Sequence, residues 1–315
     1  MALRAVIAAS LLVVAGLCRA QSVAFSAGEL SANGQALYRV SLDGRTVSRL
    51  GYVRDGSGNP ISGLGGLTFG TDTQLYAIGQ PQGAQAPVLV TIATTLPTAT
   101  TVSTISSLPA SASTALSLSF SCDGRLWMAS SVSKSFWQLT PATGQARLVG
   151  NLGVSITALA MSGNVLYGLG GSGNANLYTI ALDTGVATKV GSYNTPVSDP
   201  VDAGFDSSGT LWGLVRNFDS ANPDSLPSAP NALAQINPKS GAMTPVGTIT
   251  NPPSTNLPYP LPLSGLAVAP PTCTATQPPP STPAGAPVLS LAGLGSLFVL
   301  MLCSARRRIF SARSS

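Results

Sequence analysis

Between residues 21 and 269, short runs of alternating apolar and polar positions are broken by glycine-containing turns, and the runs recur. One unit is an apolar strand, a turn with Gly and often Asp, then Leu-Tyr or Leu-Trp followed by small residues. Its copies are GLTFGTDTQLYAIG ending at Gly79, LSFSCDGRLWMAS ending at Ser130, LAMSGNVLYGLG ending at Gly170 and GFDSSGTLWGLV ending at Val215. The aromatics of these copies, Tyr76, Trp127, Tyr167 and Trp212, stand 51, 40 and 45 residues apart. Such intervals suit a blade of four strands.

A second unit follows each first one: an aromatic or aliphatic strand, a turn, and a strand that closes on Val-Gly or a close variant. It reads LYRVSLDGRTVSRLG to Gly51, FWQLTPATGQARLVG to Gly150, LYTIALDTGVATKVG to Gly191 and LAQINPKSGAMTPVG to Gly247, with a weaker copy from Val88 to Ile105. The turns Asp43-Gly44, Thr143-Gly144, Thr184-Gly185 and Ser240-Gly241 carry hairpin chemistry, because glycine supplies the positive φ that tight hairpin turns need. Each pair of units therefore predicts two hairpins.

Five second units face only four complete first units. The missing one is split between the ends of the segment: LSGLAVA at Leu263–Ala269 supplies a strand of the first type, and SVAFSAG at Ser22–Gly28 resembles the strand after it. Pairing the two ends in one blade closes a ring and removes exposed sheet edges. The predicted fold is an all-β propeller of about five four-stranded blades, closed between N- and C-terminal strands, with Trp127, Trp137 and Trp212 packed between blades. The Leu-Tyr-x-Ile, Thr-Gly and Val-Gly pattern resembles that of secreted bacterial β-propellers across the whole segment. This resemblance implies fold and leaves activity open, since propellers carry many unrelated functions.

The flanks differ from this middle. Residues 1–20 have a basic start at Arg4, an apolar run from Ala5 to Leu17 and small residues before Gln21, the pattern of a secretory signal cleaved between Ala20 and Gln21. Residues 270–287 are rich in Pro, Thr and Ser and predict an extended spacer. Residues 288–305 are uncharged and long enough for a membrane-spanning helix, and Arg306, Arg307 and Arg308 open a basic tail over 306–315 that stays cytoplasmic. Spacer, short motif, apolar helix and arginine cluster together resemble the C-terminal sorting signals of bacterial surface proteins of the IPTL and PEP types. Pro287, Val288, Leu289 and Ser290 fall at the motif, with Val288 in place of its Thr. That resemblance implies a sorting peptidase acting near Pro287–Ser290, in addition to the signal peptidase. An ordinary single-pass anchor is the alternative.

Composition sharpens the picture. Of 16 Lys and Arg, six lie in these flanks, which leaves ten basic residues against eleven acidic ones, a net charge of −1 for the middle. The basic character of the chain thus belongs to targeting, and no nucleic-acid partner follows from it. Histidine is absent, which removes Ser-His-Asp and Cys-His catalysis and His-ligated zinc. Of the four cysteines, only Cys122 and Cys273 belong to the exported part; they either pair as a disulfide or stand as two free thiols.

Glu29 is the only glutamate. The densest acidic group is Asp199, Asp202 and Asp206, the candidate oxygen ligands for calcium in a metal-assisted propeller hydrolase or lyase. Asp123 and Asp183 precede turn glycines and read as turn formers. The glycine-rich GLGGSG at Gly168–Gly173 reads as a loop between strands, without the Lys-Ser/Thr pair of a phosphate loop. The preferred reading is a non-catalytic module of the cell envelope or matrix that binds a protein or glycan. The polar insertion at Asn217–Asn231 is the expected contact region.

Overall fold

The computed structural model describes residues 23–42, 46–109, 115–171, 173–194, 199–216, 232–249, 262–271 and 273. The predicted signal segment, the loop at 217–231, the predicted C-terminal helix and tail, and all of the predicted spacer except residues 270, 271 and 273 fall outside them, and with these the processing positions Ala20, Gln21, Pro287, Val288, Leu289 and Ser290. Among the described residues there are twenty-one strands and no helix.

In chain order the strands are β1 (Val23–Ser31), β2 (Gly34–Ser41), β3 (Val47–Tyr52), β4 (Arg54–Asp55), β5 (Ile61–Phe69), β6 (Leu75–Pro81), β7 (Val88–Ile92) and β8 (Thr98–Thr104). They continue as β9 (Leu116–Phe120), β10 (Leu126–Ser130), β11 (Ser135–Thr140), β12 (Gln145–Asn151), β13 (Ile156–Ser162), β14 (Val165–Gly170), β15 (Asn176–Ile180) and β16 (Ala187–Ser192). The last are β17 (Asp199–Phe205), β18 (Leu211–Arg216), β19 (Ala232–Ile236), β20 (Met243–Thr248) and β21 (Leu263–Ala267). They form five sheets, ordered β21-β1-β2-β3, β5-β6-β7-β8, β9-β10-β11-β12, β13-β14-β15-β16 and β17-β18-β19-β20, and β4 adds a fifth strand outside β8. The innermost strands β21, β5, β9, β13 and β17 touch in sequence around the axis. This is a five-bladed β-propeller, and its first blade joins the N-terminal strand to β21, as the split repeat predicts.

Five separate hydrophobic clusters occupy the five wedges between consecutive blades. Strand alternation feeds two of them at once. In β10, Leu126 and Met128 join the cluster between the second and third blades, while Trp127 and Ala129 join the one between the third and fourth. A strand covered on both faces is therefore apolar at every position, which is why LWMAS is buried throughout. Trp127, Trp137 and Trp212 all lie in these wedges, and Trp127 stacks on Phe136 with ring centroids 5.3 Å apart.

The two glycines of the repeat meet at the rim. Gly150 in β12 packs on the carbonyl of Thr184 in the next blade's turn, and Gly191 in β16 does the same on Ser240, so neither site has room for a Cβ. Each of these Val-Gly positions is also a register shift in its ladder. Val-Gly and the following blade's Thr-Gly or Ser-Gly are thus one inter-blade contact read twice along the chain.

Two features differ from the sequence expectation. Gly168-Leu169-Gly170 belongs to β14, so the glycine-rich run is only partly a loop: Gly168 lies where a Cβ would meet Ile180 Cδ1 at 2.8 Å, so a strand position demands glycine there. The strand β4 is new. Its two residues pair in parallel with Thr98 and Ala99 and cover the outer edge of the second blade.

Candidate functional site

Where the inner strands begin, the axis opens into a funnel of about 520 Å³. We call this the upper mouth. Its wall is built mainly from the starts of β5, β9, β17 and β21, and five of its positions are glycines, Gly63, Gly65, Gly66, Gly79 and Gly265. Gly63, Gly66 and Gly265 have φ of 62°, 56° and 78°, and the β5–β6 ladder shifts register twice beside them. These bulges bring neighbouring strands close together: a Cβ at Gly66 would meet Leu118, one at Gly79 would meet Ile61 and one at Gly265 would meet Leu67, so the wall is backbone at these points. Polar groups come from Gln35, Gln80, Ser131, Thr157 and Ser264, and among the described residues lining the funnel Arg216 is the one that is charged.

A hydrogen-bonded cross-link fixes this wall. Gln35 Nε2 donates to Ser264 Oγ at 2.9 Å, Gln35 Oε1 accepts from Leu64 N at 2.7 Å, and Ser264 Oγ donates to the Leu64 carbonyl at 3.0 Å. First blade, closing strand and second blade are tied at one point. The sequence alone hides this set, since its members lie 29 and 229 residues apart. The run Gly63-Leu64-Gly65-Gly66 inside a strand pattern is the signal that marks the place.

Of the three candidate aspartates, Asp202 and Asp206 each have their own hydrogen-bond partners. Asp199 opens β17. Asp202 sits in the hub, fully buried: Oδ2 accepts from Leu266 N of β21 at 2.8 Å and Oδ1 from Ala203 N at 2.9 Å. Burial pushes its pKa up to about 8, against the opposing pull of backbone hydrogen bonds from Leu266, Ala203 and Leu67. The shift in the β17–β18 register between Pro200 and Asp202 is what turns this side chain inward.

Asp206 closes the turn after β17. Its Oδ1 accepts from Ser208 N and Thr210 N at 2.9 Å and from Ser208 Oγ at 2.6 Å, and Oδ2 accepts from Trp212 Nε1 at 2.8 Å. Burial alone would raise its pKa, but these donors hold the carboxyl below the ordinary value. The same device recurs in the second and third blades. Tyr76 donates its hydroxyl to Asp72, and Trp127 donates Nε1 to Ser121, which in turn hydrogen-bonds Asp123. Among the described residues no group of three or more His, Cys, Asp or Glu is placed to hold a metal.

The opposite end, where the inner strands finish, is nearly filled. The cavity there is about 20 Å³, walled by the ends of β5, β9, β13 and β17 together with Leu266–Ala269 and Pro271. After β21 the chain crosses this lower mouth, and Cys273 is joined to Cys122 in the turn between β9 and β10, with Cα atoms 5.3 Å apart. The strap thus runs from the first blade to the third.

The repeat matches the family described as a repeat of unknown function, DUF6923, over residues 23–205. No curated protein matches the sequence. Among solved structures, virginiamycin B lyase from Staphylococcus aureus is similar at 16% identity and a TM-score of 0.40, with 71% of this chain and 66% of the lyase covered. An exo-β-1,3-galactanase from Clostridium thermocellum is similar at 13% identity and a TM-score of 0.46, with 71% and 59% covered. A gluconolactonase from Xanthomonas campestris is similar at 15% identity and a TM-score of 0.40, with 71% and 76% covered. The chain thus spans just under two thirds of the lyase and less of the galactanase. With more than half of its length matched, the chain belongs to the DUF6923 repeat family.

Proposed function

We propose that this protein is an exported, envelope-anchored propeller that acts by binding rather than by catalysis, and that the funnel at the upper mouth is its binding site. The observation that carries this reading is the funnel itself. Its volume is that of a small-ligand pocket, and its lining of backbone, amide and hydroxyl groups with one arginine suits holding a partner more than moving protons. Among the described residues that line it none is aromatic, which favours a protein segment over a glycan stacked on aromatic faces. Export draws support from the Cys122–Cys273 disulfide, a bond that persists in oxidising compartments. The calcium-assisted reading has less behind it, because Asp202 and Asp206 already direct their oxygens at backbone and side-chain donors within the fold.

The test is site-specific photo-crosslinking on intact cells. A crosslinker at Leu30, exposed on the funnel, should capture a partner that one at Leu148, exposed on the β12 rim, does not. Equal capture at both positions, or none, would sink the proposal. The intact mass of the mature protein decides its processing, since a chain starting at Gln21 and ending near Pro287 is the product expected of the two peptidases.

A further inference from the structure

Strand β21 joins the two mouths. At its start Ser264 and Gly265 line the funnel, and Ser264 is part of the cross-link to Gln35 and Leu64. At its end Ala267 leads into the strap that reaches Cys273. Between them only Leu266 N is held from the neighbouring fifth blade, by Asp202.

The strand is also weakly laddered. It pairs with β1 at Phe25↔Ala267, Ala27↔Ser264 and Gly28↔Leu263, with a register shift in between. Inner strands β5, β13 and β17 also shift register while β9 pairs with β10 at five consecutive positions, and in β21 the Gly265 carbonyl accepts from Ser26 Oγ at 2.6 Å across the gap. A terminal strand with a broken ladder frays from its free end unless that end is fixed. Here the fixing point is the disulfide, and it is reachable: Cys273 is exposed and Cys122 partly so.

We propose that the Cys122–Cys273 disulfide is a redox latch on the funnel, which holds β21 in register so that the Gln35–Ser264–Leu64 wall forms only in the oxidised protein. This rests on the reading of the funnel as the binding site. The reductant is a dithiol. Its thiolate attacks one sulfur of the pair to give a mixed disulfide and expels the other cysteine as thiolate. The second thiol of the reagent then displaces the remaining cysteine. Two electrons pass to Cys122 and Cys273, each of which takes up a proton, and the reagent leaves as its own disulfide. With the latch open, β21 loosens from the lower mouth upward, and the wall it contributes to the funnel loosens with it.

The experiment is amide hydrogen exchange on the full chain, oxidised and after dithiothreitol, beside the Cys122→Ser/Cys273→Ser variant. Opening the latch is expected to speed exchange at Leu266, Ala267 and Leu64 by about tenfold or more beyond the rise that the lowered global stability gives the amides of β10 and β14. A uniform rise over all five blades, or no rise at β21, overturns the latch. If the double variant does not fold, graded dithiothreitol on the folded chain gives the same comparison. Capture at Leu30 is then measured in both redox states. Loss of capture on reduction supports the coupling, and capture unchanged by reduction overturns it. Selective exchange at β21 with no capture in either state leaves the latch on the strand standing and overturns only its control of binding, together with the binding reading.

Discussion

The two mouths of this propeller are made from the same five inner strands, yet one is a funnel of about 520 Å³ and the other is closed to about 20 Å³. The strands are not wider apart by design of the ring. At the upper mouth bulges in the inner strands and glycines packed against their neighbours leave much of the wall to backbone. At the lower mouth Leu67, Phe69, Phe120 and Phe205 fill the space and a strap lies across it. The difference teaches that the fold supplies a neutral tube, and that local choices of side chain decide which end is a site. It also predicts different responses to mutation, since the lower mouth holds the ring shut while the upper one is held open.

Removing the strap's fixing point should have the largest effect. Cys273→Ser is expected to cost roughly 2–5 kcal/mol, which for a domain of this size lowers Tm by about 5–15 °C, read by calorimetry without reductant. Asp202→Ala comes next. It leaves the Leu266 and Ala203 amides without their acceptor in a buried site, at a cost of about 3 kcal/mol, measured as a lower urea midpoint with unchanged slope.

The pH dependence is smaller per pH unit and has a definite sign. The folded chain keeps the Asp202 proton up to about pH 8, whereas its ordinary value is 3.8. Across that window the folded state binds more protons than the unfolded one, so this group makes stability fall as pH rises, by at most about 1.4 kcal/mol per pH unit. Urea midpoints between pH 5 and 8 should show a downward trend in the native protein that flattens in Asp202→Asn. At the upper mouth, Gln80→Ala should change stability by less than about 0.5 kcal/mol while altering photo-crosslinking from Leu30. A large loss of stability there would erase the contrast between the mouths.

Much of the fold was legible because each wedge repeats one demand. Trp127 and Trp212 sit where the same turn device places an aromatic NH on a polar acceptor, and the sequence repeats that device at readable intervals. Gly150 and Gly191 were legible as the ends of Val-Gly strands, but their role as bare surfaces under the next blade's turn depends on Thr184 and Ser240, 34 and 49 residues further on. β4 was not legible, since two residues carry no periodicity and their partner strand lies beyond three others. The candidate site was least legible of all. Asp199, Asp202 and Asp206 are close in sequence and suggest a cluster. A single register shift turns Asp202 to the hub, and a turn takes Asp206. Conversely Gln35 and Ser264 look like ordinary strand residues until the ring is closed.

The split first blade also governs when the protein can exist. A chain synthesised from its N-terminus delivers β1 at the outset and β21 only after some 230 further residues. Until then four blades stand complete and the first lacks its inner strand, with the wedge residues Ala27, Leu37 and Leu67 short of the Ala267 side of their cluster. Synthesis therefore sets a clock on assembly, and the ring becomes a ring only when its last strand arrives.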